Sequence, residues 1–352
     1  MAGIESVLVI GAGGTLGRRV RRLLAEGLPG VRVIAASRRG PAALGADARA
    51  VDVRDGVSLA HALRGVGLVV NAVGPYRYDP TPLVAACIGA RAHCLDLAED
   101  PAYFAALRDA ADRGNAASAG VAFVPGCSTS PGLVELLAES FAALPNVAVV
   151  DAWLSVGSRN AASAALVAGL LRPLGRPRPD GGRWYDTVLW RRVDGRSLAF
   201  GRYPSGLPSE RVRVGDWLLP LRFHAGFDRP VFARGLRAAA PVLARLGEGA
   251  IAAVAKAAAP LARLAAPLGG ARGALRVEAL DAEGGVVGEV EVVAVSDGLD
   301  VPAAPPLWAA RSLAARPRGG VLRLADLVTR AEALAGLAAL RCAVSERVHS
   351  TA

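Results

Sequence analysis

One stretch constrains the fold more than any other: Val7-Leu8-Val9-Ile10-Gly11-Ala12-Gly13-Gly14-Thr15-Leu16-Gly17. Four apolar residues, mostly β-branched, read as a buried strand. The glycines read as a tight turn, and Leu16–Glu26, apolar along one face, reads as a helix. A helix that opens at glycines presents free backbone N–H groups and the positive end of its dipole, which suits a pyrophosphate. The strict G-x-G-x-x-G spacing would need glycine where Leu16 stands. Gly11, Gly14 and Gly17, with Gly13 beside them, still supply the turn, the backbone approach to phosphate and the close helix packing. Gly11, Gly13, Gly14, Thr15, Leu16 and Gly17 are therefore the expected phosphate site. The alternative is a purely structural turn.

The second expected strand, Val31–Ala36, ends in Ser37-Arg38-Arg39-Gly40. A preference for NAD usually places Asp or Glu here, on the ribose 2′-hydroxyl. A hydroxyl and two guanidinium groups stand there instead, and arginine offers a planar fork of donors matched to phosphate. Ser37, Arg38 and Arg39 are expected to hold the 2′-phosphate of NADP(H). The plainer reading is a basic loop in an arginine-rich chain.

Composition sets the outer bounds. The 352 residues suffice for two domains, and 53% of them are hydrophobic. The formal net charge of +10 comes almost wholly from arginine, since Lys256 is the only lysine. The arginines are spread along the chain, which argues against a nucleic-acid partner and leaves an anionic cofactor as the fitting one. Cys87, Cys94, Cys127 and Cys342 have no C-x-x-C spacing, and the four histidines are scattered, so neither a metal site nor a disulfide framework is expected. No charged n-region precedes an apolar run, and no 18-residue apolar stretch appears. The expected location is the cytoplasm and the expected assembly a homodimer.

Along the first 130 residues strand and helix patterns alternate. Expected strands are Val7–Ile10, Val31–Ala36, Ala48–Val53, Leu68–Ala72, His93–Leu97 and Ala122–Pro125. Expected helices are Leu16–Glu26, Val57–Leu63, Thr81–Gly89 and Pro101–Asn115. This is the pattern of an α/β fold, a Rossmann-like doubly wound parallel sheet. After Gly126 a helix is expected over Pro131–Leu144. Longer alternating stretches follow at Val147–Val156, Asp186–Val193 and Arg272–Ala294, as in an inserted α+β second domain built on a mixed sheet. Gly235–Gly270, rich in alanine and leucine, reads as two or three helices. They are suited to internal packing, an oligomer surface or peripheral membrane contact. Ala309–Ala315 and Leu322–Arg341 read as helices returning to the first domain. The expected division is 1–130 plus 300–352 for the dinucleotide domain and 131–299 for the substrate or dimerisation domain.

Leu68-Val69-Val70-Asn71-Ala72-Val73-Gly74-Pro75-Tyr76, the Ala86-Cys87 helix and His93-Cys94-Leu95-Asp96-Leu97-Ala98-Glu99 form a series. It resembles the saccharopine dehydrogenase-like family of NADP-binding oxidoreductases. Pro125-Gly126-Cys127-Ser128-Thr129-Ser130-Pro131-Gly132-Leu133 is similar to that family's crossing into its second domain, and Gly319-Gly320-Val321 with the helix after it is similar too. The resemblance implies an NADP-dependent enzyme reducing imine or enoyl groups. The residues agree: Asn71, Ala72, Val73 and Gly74 end a parallel strand beside the glycine turn, where ligands bind. They leave room for the nicotinamide ribose. Asp52 and Val53 end the third strand, on the adenine side. Gly74-Pro75 turns Tyr76 and Arg77 over the cleft.

No Tyr-x-x-x-Lys pair exists, because Ala252 precedes Lys256 by four; H-E-x-x-H and G-x-S-x-G are also absent. Candidates for proton transfer are Tyr76 and Asp96, with Cys127 and Ser128 nearby. Three readings remain. The first is NADP(H)-dependent hydride transfer to or from a C=N or C=C bond of a small metabolite or lipid. The second is a regulatory module that binds NADP without turnover. The third is a membrane-peripheral lipid enoyl reductase using 235–270.

Overall fold

The structure, a computed structural model, describes residues 4–160 and 163–349. In chain order the elements are β1 (Ser6–Ile10), α1 (Thr15–Gly27), β2 (Arg32–Ser37), α2 (Pro41–Leu44), β3 (Arg49–Ala50), α3 (Gly56–Ala62), β4 (Leu68–Asn71), α4 (Thr81–Ala90), β5 (His93–Asp96), α5 (Pro101–Arg113) and β6 (Ala122–Val124). Then come α6 (Val134–Ala138), β7 (Val149–Ser155), α7 (Ala164–Leu171), β8 (Leu189–Val193), β9 (Arg196–Arg202), β10 (Arg211–Val214), β11 (Trp217–Phe227), α8 (Pro230–Leu243), α9 (Glu248–Ala265), β12 (Gly273–Leu280), β13 (Val286–Ala294) and α10 (Asp300–Ala303). Last are α11 (Pro305–Ala315), β14 (Gly320–Val321), α12 (Arg330–Ala339) and β15 (Cys342–Val348).

The chain forms two compact units. The first holds the described residues up to Leu133 with Pro302–Ala333; the second holds Val134–Val301 with the described residues from Leu334 onward. In the first, seven parallel strands lie in the order β14-β6-β5-β4-β1-β2-β3. The sheet is doubly wound, and its strand order reverses at β1, between β2 and β4. Helices cover both faces, so β1 and β4 are apolar on both sides: Val7, Leu8, Val9, Leu68, Val69 and Val70 are wholly buried. Each such side chain contributes about 2 kcal/mol, as an upper estimate against an extended unfolded chain. Helix α1 turns Val20, Leu23 and Leu24 inward. Its far end is held by Arg311 of α11, whose guanidinium donates to the Gly27 carbonyl at 2.9 and 3.3 Å.

The second unit is an eight-stranded mixed sheet, β15-β13-β12-β7-β11-β9-β8, with β10 paired to β11. Strand β7 pairs parallel with β11 and antiparallel with β12. On one face, Arg202, His224, Trp153, Arg276 and Glu291 follow one another across five strands. Helices α7, α8 and α9 share an apolar cluster with Tyr185 and Ala199.

Several expectations need correction. The strand expected over Ala48–Val53 is only Arg49–Ala50. The helix expected over Pro131–Leu144 is interrupted: Ser130 is extended (φ −119°, ψ 130°), and regular helix runs only from Val134 to Ala138. The helix expected over Leu322–Arg341 begins at Arg330, after a single turn at Leu324–Asp326. The expected 300–352 return is also split. Pro302–Ala333 joins the first unit, but Cys342–Val348 pairs antiparallel with β13 in the second, residue for residue from Gly288↔Val348 to Ala294↔Cys342. A helical pattern ending just before Cys342–Val348 hid that strand.

Candidate active site

The glycine turn follows β1. Gly11 N and Ala12 N both donate to the Ala36 carbonyl at 2.9 and 3.1 Å, locking the turn against β2. Gly11 has φ +81°, and a Cβ there would stand 2.7 Å from the Ala72 carbonyl oxygen. Gly17 sits so close to the turn that its Cβ would lie 2.1 Å from the Gly11 carbonyl oxygen. Gly13 and Gly14 are exposed. Gly14 is the N-cap of α1, and no side chain caps that helix or places an acid in its first turn. The donors at Thr15, Leu16 and Gly17 thus begin an open, positively polarised helix end. One contributor was not foreseen: Arg18 donates from Nη1 to the Gly13 carbonyl at 2.6 Å, fastening the turn and adding a cation to its rim.

At the end of β2, Ser37 Oγ is buried and has no hydrogen-bond partner among the described residues. A buried hydroxyl without a partner costs about 1–3 kcal/mol, so an acceptor that arrives with a ligand would recover it. Arg38 and Arg39 follow, both exposed, with no ion pair among the described residues. An uncapped helix start, an orphaned hydroxyl and two unpaired guanidinium groups fit a dinucleotide bearing a 2′-phosphate. Asp52 and Val53 lie in the turn before α3 instead of on β3. Asp52 Oδ1 accepts from Arg54 N at 3.0 Å, and Val53 joins the apolar core with Ile10 and Ala36.

The carboxyl ends of β4 and β5 bring together residues far apart in sequence. Asn71 is wholly buried; its Nδ2 lies 2.7 Å from Asp96 Oδ2, 2.7 Å from Tyr78 OH and 3.2 Å from Tyr103 OH. Tyr103 OH donates to Asp96 Oδ2 at 2.7 Å, and Ala98 N donates to Asp96 Oδ1 at 2.9 Å. Tyr76 OH donates to the Asn71 carbonyl at 3.2 Å. The three tyrosine rings pack together, with Tyr103 at 5.4 Å from both Tyr76 and Tyr78. Ala72 and Val73 are half-buried and Gly74 is exposed, so the strand end opens there.

Among the described residues no cation hydrogen-bonds to Asp96. Burial pushes its carboxyl up to about 6, although Tyr103, Asn71 and Ala98 all favour the charged form. Burial, reinforced by Asp96, raises Tyr76 and Tyr103 well above the usual phenol range. Glu99 keeps solvent access yet is crowded by protein, and that crowding pushes its carboxyl up to about 7. Cys127 and Ser128 also lie beside Asp96: Cys127 N donates to the Asp96 carbonyl at 2.8 Å. Burial raises the Cys127 thiol, which removes it as a thiolate, and Ser128 Oγ is engaged with the Pro302 carbonyl at 3.1 Å. The structure therefore brings Tyr76 and Asp96 together with Tyr78, Tyr103 and Glu99. Of the last three, Glu99 had a local signal, standing at the end of the fifth strand. Among the described residues no group of three or more His, Cys, Asp or Glu could hold a metal.

Residues 7–124 match the family model described as the saccharopine dehydrogenase NADP binding domain. That stretch is thus similar to the domain so described. Comparison with curated proteins gives no match. Among solved structures, apo saccharopine dehydrogenase (L-Glu forming) from Saccharomyces cerevisiae superimposes with a TM-score of 0.62 at 13% identity. The match covers 98% of this chain and 100% of that one. It shows a shared fold across both units. Amine dehydrogenase from Mycobacterium smegmatis matches more loosely, with a TM-score of 0.46 at 12% identity over 93% of this chain and 96% of that one. Both units of this chain thus have a counterpart in the yeast fold.

Proposed function

We propose that this protein is an NADP(H)-dependent oxidoreductase acting on a C=N or C=C bond of a small metabolite or lipid. The observation that carries the reading is the end of β2: a buried hydroxyl without a partner and two unpaired guanidinium groups, beside a helix start that no side chain caps. Thr15, Leu16 and Gly17 would hold the pyrophosphate, with Arg18 at its rim. Ser37, Arg38 and Arg39 would hold the 2′-phosphate, and Asp52 and Val53 would border the adenine. Asn71, Ala72, Val73 and Gly74 would line the nicotinamide ribose. The nicotinamide, when bound, supplies or accepts the hydride.

The chain's own residues handle position and protons. Asp96 is sealed from solvent and orients Asn71 and Tyr103, so it acts as a positioning residue. Tyr76 is a phenol held neutral across the physiological range, and its O–H could turn from the Asn71 carbonyl to a developing negative charge. A substrate that brings its own amine needs no stronger acid.

Binding and turnover test different parts of this reading. NADPH should bind more tightly than NADH, and Arg38→Ala should weaken NADPH by about tenfold to a hundredfold while leaving NADH unchanged, from the loss of one charge-assisted contact. Equal affinity of the unaltered protein for both cofactors would sink the assignment at β2. Tight NADPH binding without oxidation by any imine or enoyl compound would favour the non-catalytic regulatory reading instead.

A further inference from the structure

Helix α9 carries two apolar faces. Ile251, Ala255 and Ala259, four residues apart, are buried in the cluster shared with Val167, Ala168 and Leu171 of α7. Val254, Leu261 and Leu264 lie on another face at spacings of seven and three. They are 39%, 66% and 78% exposed. Leu268, just past the helix, is 67% exposed; Val231 and Val242 of α8 are 66% and 59% exposed. A helix that packs against one neighbour needs a single apolar stripe. The second one is left in water.

Its surroundings are basic. Lys256 and Arg263 lie between the two faces of α9, and Arg234, Arg237 and Arg245 belong to α8 and its end. The one acid on these two helices, Glu248, is taken by Arg172 at 2.8 Å. Lys256, Arg245 and Arg263 have no acidic partner among the described residues. Trp190, half exposed, lies 5.8 Å under the Arg234 guanidinium. Exposed leucines, a tryptophan and cations without an acidic partner on two consecutive helices and the strand beside α8 suit a bilayer interface bearing negative charge.

We propose that the outer face of α8 and α9 docks on an anionic lipid surface, its leucines at the boundary of headgroup and acyl chain and its cations at the phosphates. A second copy of the chain is the poorer occupant. A two-fold contact through this face would gather Lys256 and Arg263 of both copies at one interface, with Glu248, the one acid of these helices, already taken by Arg172. Neither helix is long and apolar enough to span a bilayer, so the contact lies on the surface. This proposal does not rest on the dinucleotide reading.

The test is sedimentation of the full chain with phosphatidylcholine vesicles, with and without phosphatidylserine. Binding should require phosphatidylserine and weaken as salt is added. Leu261→Asp together with Leu264→Asp should cut binding at least about tenfold. Lys256→Glu with Arg263→Glu should erase the preference for phosphatidylserine. Both variants alter exposed positions and should melt as the parent does. Failure of the unaltered protein to sediment with anionic vesicles overturns the proposal. So does a leucine variant that still sediments but changes from dimer to monomer in light scattering, since the face then joins two copies.

Discussion

The two units bury carboxylates in opposite ways. In the first, Asp96 is sealed among Asn71, Tyr78 and Tyr103, all neutral donors or phenols. In the second, Glu278 is equally sealed but faces two guanidinium groups, Arg191 at 2.5 and 2.9 Å and Arg276 at 2.5 Å, with Trp153 Nε1 at 2.8 Å. Arg276 continues to Glu289, which also meets Arg347, so the charges form a ladder across the sheet. Hydrogen bonds alone leave the buried Asp96 carboxyl able to hold a proton near neutrality, whereas the guanidinium groups around Glu278 offset the cost of burying a charge. The first arrangement suits chemistry, and the second suits holding strands in register.

Breaking the ladder should have the largest effect. Glu278→Gln keeps the shape but leaves Arg191 and Arg276 short of charge, and should cost about 3 kcal/mol in denaturant unfolding. NADPH affinity should not change. Next comes pH. The carboxyl of Asp96 sits at about 6 in the folded chain, above its ordinary 3.8. Its contribution to stability is therefore fully present below about pH 4 and lost as pH rises through about 6, by up to about 3 kcal/mol. Asp96→Asn should remove that slope from a series of melts and cost less than about 1 kcal/mol at pH 7. It should also lower turnover far more than NADPH binding. A loss of stability at pH 7 as large as that of Glu278→Gln would erase the contrast between the units. Tyr103→Phe should disturb the pH profile least, shifting it instead of removing it, at a cost of about 1 kcal/mol for one hydrogen bond. Because that bond favours the charged carboxylate, its loss should move the Asp96 transition to higher pH, which the same melts would record.

The first unit was legible because its signals are local. Val7–Ile10, the glycines and the period of α1 lie within one stretch, and the order of elements follows from βαβ alternation. The tyrosine network was only half legible. Tyr103 meets Asn71 from 32 residues away, and no spacing in the sequence announces that contact. Arg18 looked like any arginine on a helix surface. In the second unit β9, β10 and β11 escaped notice for a different reason. Strand β11 is buried on both faces over part of its length, Phe223 toward one side and His224 toward the other, which blurs the alternation. Strand β15 is an exposed edge, and its run of polar residues directly after the helical pattern that ends at Arg341 carried no strand signal.

That edge strand also sets an order of events during synthesis. Residues 342–348 leave the ribosome about fifty residues after β13, whose edge they cover. Until then β13 offers bare amides and carbonyls to any passing strand. A transcript cut short before Cys342 would yield a chain with an open ladder, more prone to aggregate than to lose its cofactor pocket.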